Sequence, residues 1–212
     1  MQRSGITSVC RFGTVILGAG RSERMGWPKL LLPWGQTTVL GHLLRQWMAL
    51  HARQIGVVCA AGANEVFDEL NRLGFPVEDL ICNPAPERGM FSSIRCAAAW
   101  GGWDAELTHW VIVLGDQPHL RDETLRRLLE FGAANPNRIC QPIRNGRRRH
   151  PVLFPKPAFA ALKDCAAADL KQFLESRPDE LAGFESDDAG LDFDLDTPQD
   201  YERARQRHVN RG

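Results

Sequence analysis

The sequence predicts an α/β fold with a mostly parallel sheet covered by helices on both faces. Three observations predict it. Short apolar runs with β-branched residues alternate with helical repeats along the chain. The strongest run, residues 109–114 (HWVIVL), reads apolar on both faces from Trp110 onward, as a fully buried strand requires. Polar loops leave two such runs, after residue 17 and after residue 114, on the strand edge where parallel sheets bind ligands.

Each element has its own reason. Residues 13–18 (GTVILG) form a first strand that ends in a Gly-rich turn. Residues 38–50 form a helix, with Val39, Leu40, Leu43, Leu44, Trp47 and Leu50 on one face. Residues 55–60 (IGVVCA) give a second strand. Residues 64–73 give a helix with Val66, Phe67 and Leu70 inward, stopped at Gly74. A short strand over 79–82 precedes the Pro-rich NPAPERG loop, and a helix spans 90–100. After the strand at 109–114 comes GDQP, then a helix over 122–133 with Asp122 as N-cap. Strands near 138–142 and 151–154 and helices near 157–163 and 169–176 follow. The last helix opens on Thr197-Pro198-Gln199-Asp200, with Thr at N-cap, Pro at N1 and an acid at N3.

The chain has 212 residues, 43% of them hydrophobic and 25% charged, which excludes wholesale disorder and suits one domain. The reading is a short arm over 1–12 and one domain over 13–212. Lys plus Arg and Asp plus Glu are both 26, so no basic excess points to nucleic acid. No apolar run is long enough to span a membrane, and residues 1–12 lack a signal-peptide core. The expected location is the cytoplasm. The six cysteines show no CxxC spacing, and Cys59, Cys82 and Cys140 fall in strands, so they read as buried reduced thiols rather than a zinc site.

The loop Gly18-Ala19-Gly20-Arg21-Ser22-Glu23-Arg24-Met25-Gly26-Trp27-Pro28-Lys29 carries the first functional signal. Glycines after a buried strand let the backbone turn and aim N–H groups at an anion, and Arg24 and Lys29 add positive charge. A Walker A loop fails because Trp27 follows Gly26. A dinucleotide fingerprint fails because Glu23 stands at its third glycine.

The string LGAGRSERMGWPKLLLPWG (17–35) resembles the signature of the MobA-like nucleotidyltransferases. GDQP (115–118), GRRRHPVLF (146–154) and DLDTPQDY (194–201) follow in that family's order and spacing. The molybdenum cofactor cytidylyltransferase branch is the nearest match, and the cytidylyltransferase of isoprenoid synthesis is a more distant one. The resemblance implies a Rossmann-like, three-layer α/β fold of the GT-A-like nucleotidyltransferase type. It implies a nucleoside triphosphate held by Gly18, Ala19, Gly20, Arg21, Ser22, Arg24, Lys29 and Ser93. Lys29, Arg24 and Asp116 are the implied catalytic group, and Mg2+ on Asp116 and Asp194 the implied cofactor. Ala19 stands where guanylyltransferases tend to carry Gly, which tilts the base from GTP to CTP. The implied acceptor is a phosphate-bearing small molecule such as molybdopterin, with a molybdoenzyme or chaperone as partner.

Asp116, at the end of the buried strand, reads as an oxygen ligand for magnesium or as a turn residue before Pro118. Asp192, Asp194 and Asp196 alternate, which places all three on one face if the segment is a strand. By the resemblance Asp194 is the direct ligand, while Asp196 caps or orients. His150, Arg148 and Asp196 form the candidate acceptor side. That side departs from the family. Arg149 stands where Gly is common, and AAADLK (166–171) replaces the usual GDxGAR, with Lys171 at the Arg position. Two other function classes stay open: a nucleotide-binding protein without catalysis, and a sugar-1-phosphate nucleotidyltransferase.

Overall fold

The computed structural model describes residues 10–20 and 25–209. Strands β1 (Phe12–Leu17), β4 (Gln54–Ala60), β5 (Leu80–Asn83) and β6 (His109–Leu114) are the apolar runs of the sequence. They pair in parallel in the order β6-β1-β4-β5. The sheet continues past β6 with β9 (Val152–Pro155), β7 (Ile139–Arg144) and β10 (Leu181–Glu185). β9 runs antiparallel to both β6 and β7, and β10 runs parallel to β7. Two short hairpin pieces complete the strands. β2 (Pro33–Trp34) pairs with β3 (Thr37–Thr38), and β8 (Arg147–Arg148) turns back on β7 through Asn145 and Gly146, both at positive φ.

Residues of β1 alternate between two cores. Ile16 packs with α1 (Val39–Ala49), α2 (Asn64–Arg72) and α4 (Asp122–Ala134) through Leu40, Leu43, Leu70, Leu125 and Leu128. Val15 and Leu17 pack with α3 (Met90–Ala99), α5 (Lys156–Ala161) and α6 (Leu170–Glu175) through Ile94, Phe159 and Phe173. Burying each such aliphatic side chain contributes about 1.5–3 kcal/mol. The result is the expected three-layer α/β sandwich.

The chain order creates the site. After β1 the strands step outward to β4 and β5, and then β6 returns to the other flank of β1. Loops leaving β1 and β6 therefore part in opposite directions, and a crevice opens between them.

Three expectations need correction. The N-cap of α4 is Arg121, not Asp122. Asp122 accepts from Gln46 Nε2 at 2.9 Å, and the helix start is tied down by Asp188, which accepts from Arg121 N and Thr124 Oγ1. Cys82 is exposed, because β5 is an edge strand, while Cys59 and Cys140 are buried as expected. Residues 192–196 are not a strand: a 3-10 turn covers Ala189–Asp192, and Asp196 N bonds back to Asp194 O at 2.9 Å. The last helix, α7 (Pro198–Val209), starts as read, with Thr197 and Asp200 exchanging hydrogen bonds in a capping box.

Candidate active site

The loop after β1 enters the crevice as Gly18-Ala19-Gly20. Gly18 donates its N–H to Val58 O at 2.7 Å, which holds the loop against β4. A Cβ at Gly18 would sit 2.8 Å from Leu30 Cδ1 and 3.1 Å from Val58 O, so the close approach requires glycine. Arg21, Ser22 and Arg24, three of the expected phosphate contacts, lie outside the described residues.

Lys29 opens the 3-10 turn Lys29–Leu31 and turns its amine into the crevice. Its Nζ lies 2.7 Å from Asp196 Oδ1 and 3.3 Å from Asp116 Oδ2. Asp116 follows β6 by two residues, and its main-chain carbonyl accepts from Leu195 N at 3.0 Å. Burial raises the Asp116 pKa, the nearby Asp194 charge raises it further, and Lys29 opposes both. Asp194 accepts from Gln117 Nε2 at 2.8 Å.

The three alternating acids thus separate. Asp194 faces Asp116 and Gln117, Asp196 grips Lys29, and Asp192 turns away to Arg144 and Arg149 at 2.7 and 2.6 Å. Gly18, Ala19, Gly20, Lys29, Ser93, Asp116 and Asp194 line one cavity of about 400 Å³ together with Pro86, Gly89 and Met90. Ser93 is buried there and accepts from Asn83 Nδ2 at 2.9 Å. Neither Ser92 nor Ser93 caps α3, whose N-cap is Gly89.

The expected acceptor side is more scattered. His150 stands at the entrance to β9, and burial pushes its pKa down to about 4, so the ring is neutral at pH 7. Arg148 reaches the Ala182 carbonyl at 3.3 Å on the far edge of the sheet, away from the cavity. Lys171 lies exposed on α6 beside Glu175.

Two carboxylates flank the cavity, and among the described residues no cluster of three or more His, Cys, Asp or Glu forms a metal cage. That donor set fits a hard divalent cation that keeps waters and takes its other oxygens from phosphates. Sequence reasoning missed Gln117 and His119, whose only signal was their place directly after Asp116 in GDQPH. His119 Nε2 donates to the carbonyls of Gly190 and Phe193, both at 3.1 Å, which holds the acidic segment in place.

A crevice at the switch point of a doubly covered sheet, with a glycine turn on one lip and acids on the other, is the architecture of an α/β nucleotide-handling protein. Residues 14–181 match the family model of the MobA-like NTP transferase domain, and the chain belongs to that nucleotidyltransferase family. The chain is 28% identical over 201 residues to the molybdenum cofactor cytidylyltransferase of Escherichia coli (strain K12), covering 92% of this chain and 96% of the relative. The crystal structure of Rv0371c from Mycobacterium tuberculosis H37Rv superposes with a TM-score of 0.76 at 29% identity, over 92% of this chain and 98% of that one. Its complex with manganese shares the fold, with a TM-score of 0.65 at 24% identity over the same shares of the two chains.

Proposed function

We propose that the chain transfers CMP from CTP to a phosphate-bearing acceptor of the molybdopterin type, with Mg2+ as cofactor and pyrophosphate as leaving group. The observation that carries this reading is Lys29 meeting Asp116 at the mouth of the cavity lined by Gly18–Gly20. Support for the acceptor class comes from the E. coli relative, which is matched along nearly its whole length.

The acceptor phosphate is already ionised at neutral pH and needs no general base, so catalysis rests on positioning and charge. The Gly18 N–H is taken by Val58 O, so the N–H groups of Ala19 and Gly20, extended by Arg21, Ser22 and Arg24, hold the β- and γ-phosphates. Lys29 reaches the α-phosphate and balances the charge that builds up in the transition state. Asp196, gripping Lys29 rather than facing Asp194, orients that amine. Asp116 and Asp194 are the residues that would hold the cation, which supplies charge neutralisation at the phosphates when bound. Ala19 is buried in the cavity wall, where its methyl narrows the space for a base and favours a pyrimidine. Neutral His150 belongs to the acceptor side, Arg148 is held away from it at the Ala182 carbonyl, and a molybdoenzyme or chaperone receives the product.

The test is pyrophosphate release from each of the four triphosphates with Mg2+ and a molybdopterin acceptor, alongside competition isotherms. CTP should turn over fastest and bind more tightly than GTP. Tighter GTP binding would reject the base assignment, and no release with any triphosphate would reject the transferase reading.

A further inference from the structure

We propose that Gln117 is a positioning residue, the arm of a clamp that presents the Asp194 carboxylate to a divalent cation. The inference rests on the metal reading given above and adds the device that brings its two acids together. Asp116 and Asp194 come from segments that the chain does not join locally, and like charges drive such acids apart unless something holds them. Three contacts do so. Leu195 N donates to Asp116 O at 3.0 Å, which sets the two backbones in register. Gln117 Nε2 donates to Asp194 Oδ1 at 2.8 Å across 77 positions of sequence. His119 donates to the carbonyls of Gly190 and Phe193 and stacks on the Phe193 ring, with centroids 4.1 Å apart and planes 13° from parallel.

The chemistry of Gln117 suits this task. It is only 5% exposed, and its Oε1 has no hydrogen-bond partner among the described residues. A buried amide oxygen left unpaired costs about 1–3 kcal/mol. The amide therefore sits where one strong donor contact, to a carboxylate, outweighs its own unsatisfied acceptor. Turning the amide over would set its oxygen against the Asp194 oxygen, so its orientation is one-sided. With Oδ1 held by Gln117, Asp194 keeps Oδ2 as its other oxygen for a cation. The bond restricts the carboxylate to one rotamer, so the ordering cost is met before the metal arrives.

The experiment uses the full chain and Mn2+ as the probe, with binding read by calorimetry and by the loss of free-Mn2+ paramagnetic signal. Gln117→Met keeps length and volume and removes the N–H. His119→Phe keeps the stack on Phe193 and removes the other donor, and it stands in if Gln117→Met does not fold. Loss of such supporting hydrogen bonds typically weakens metal binding by about 10- to 100-fold, and about 10-fold is expected for Gln117→Met. The Mg2+ concentration for half-maximal turnover should rise in parallel, while saturating Mg2+ restores kcat to within about 2-fold. A purely structural Gln117 would lower Tm and leave the Mn2+ isotherm in place, which would overturn the proposal. Asp194→Asn separates the two readings. If it weakens Mn2+ binding while Gln117→Met and His119→Phe do not, the clamp fails and the metal assignment stands. If Asp194→Asn leaves the isotherm unchanged, the metal assignment fails and the clamp with it.

Discussion

Lys29 has 16% of its side chain exposed and meets two carboxylates, so its amine is held in place before any ligand arrives. Replacing it with Ala removes the positive charge from the cavity mouth and lets burial and Asp194 push the Asp116 pKa higher still. Turnover should fall by about 100-fold or more, the scale of losing one preorganised charge at a transition state. Circular dichroism should show the fold intact, and wild-type turnover in that folded variant would reject the role of Lys29. His150 gives a prediction in pH. Its folded pKa of about 4 lies below the ordinary 6.5, first because of burial, opposed by the Ile112 backbone and the Asp194 charge. The unfolded chain therefore binds more protons between those values. The stability that comes from neutral His150 is complete above pH 6.5 and is lost as pH falls toward 4. One pKa unit being worth about 1.4 kcal/mol, the loss between pH 7 and pH 4.5 is on the order of 2 kcal/mol. Urea denaturation at pH 7 and pH 4.5 should show this difference in wild type and a smaller one in His150→Phe.

At the end of β6, Gly115 links the strand to Asp116, and a Cβ there would lie 2.6 Å from the Leu17 carbonyl oxygen. That oxygen belongs to β1 and cannot step aside without moving the central pair of the sheet. Gly115→Ala should therefore cost about 1–3 kcal/mol, the range for overpacking, and displace Asp116 from Lys29. A melting curve and the Mg2+ dependence of turnover should shift together, and a variant unchanged in both would show that the edge tolerates the methyl. The elements themselves were unequally legible. β1, β4 and β6 announced themselves because burial on both faces demands unbroken apolar runs. β10 (LAGFE) gave no such signal, because an edge strand is half-buried and its pattern is weak. The Asp192–Asp196 alternation puts the three acids on one face only if the segment keeps a strand period. The local hydrogen bond from Asp196 N to Asp194 O, and Arg144 and Arg149 drawing Asp192 aside, replaced that period with a tight turn. Asp122 lost its place as N-cap for a similar reason, since Asp188, far away in sequence, met the helix start instead.

Across the whole molecule, the site depends on topology more than on any one motif. The lysine comes from the start of the chain, one acid from its middle and two from its end, and the reversal of strand order between β1 and β6 brings them to one crevice. Lys29 is singled out in sequence by the Gly-rich loop it ends and Asp116 by its place just beyond a buried strand, while Asp194 is set apart from its neighbouring acids only by the family resemblance. The pairing of Lys29 with Asp196 is not legible there, because a contact across 167 positions leaves no trace in local pattern. Such an assembly makes a claim about additivity. If Asp116 and Asp194 hold one cation, each alone is insufficient, and removing the second after the first should cost little more. Asp116→Asn and Asp194→Asn keep the shape and remove the charge. Each single variant should lose most of the turnover, and the double should fall within about 5-fold of the weaker single, far from the product expected of independent sites. The Mg2+ requirement should rise in both singles. Effects that multiply, with an unchanged Mg2+ requirement, would mean the two carboxylates do not share a metal. Asp194 would then serve only as the acceptor of the Gln117 hydrogen bond, and the acidic segment would be a lid pinned over Asp116 rather than half of a metal site.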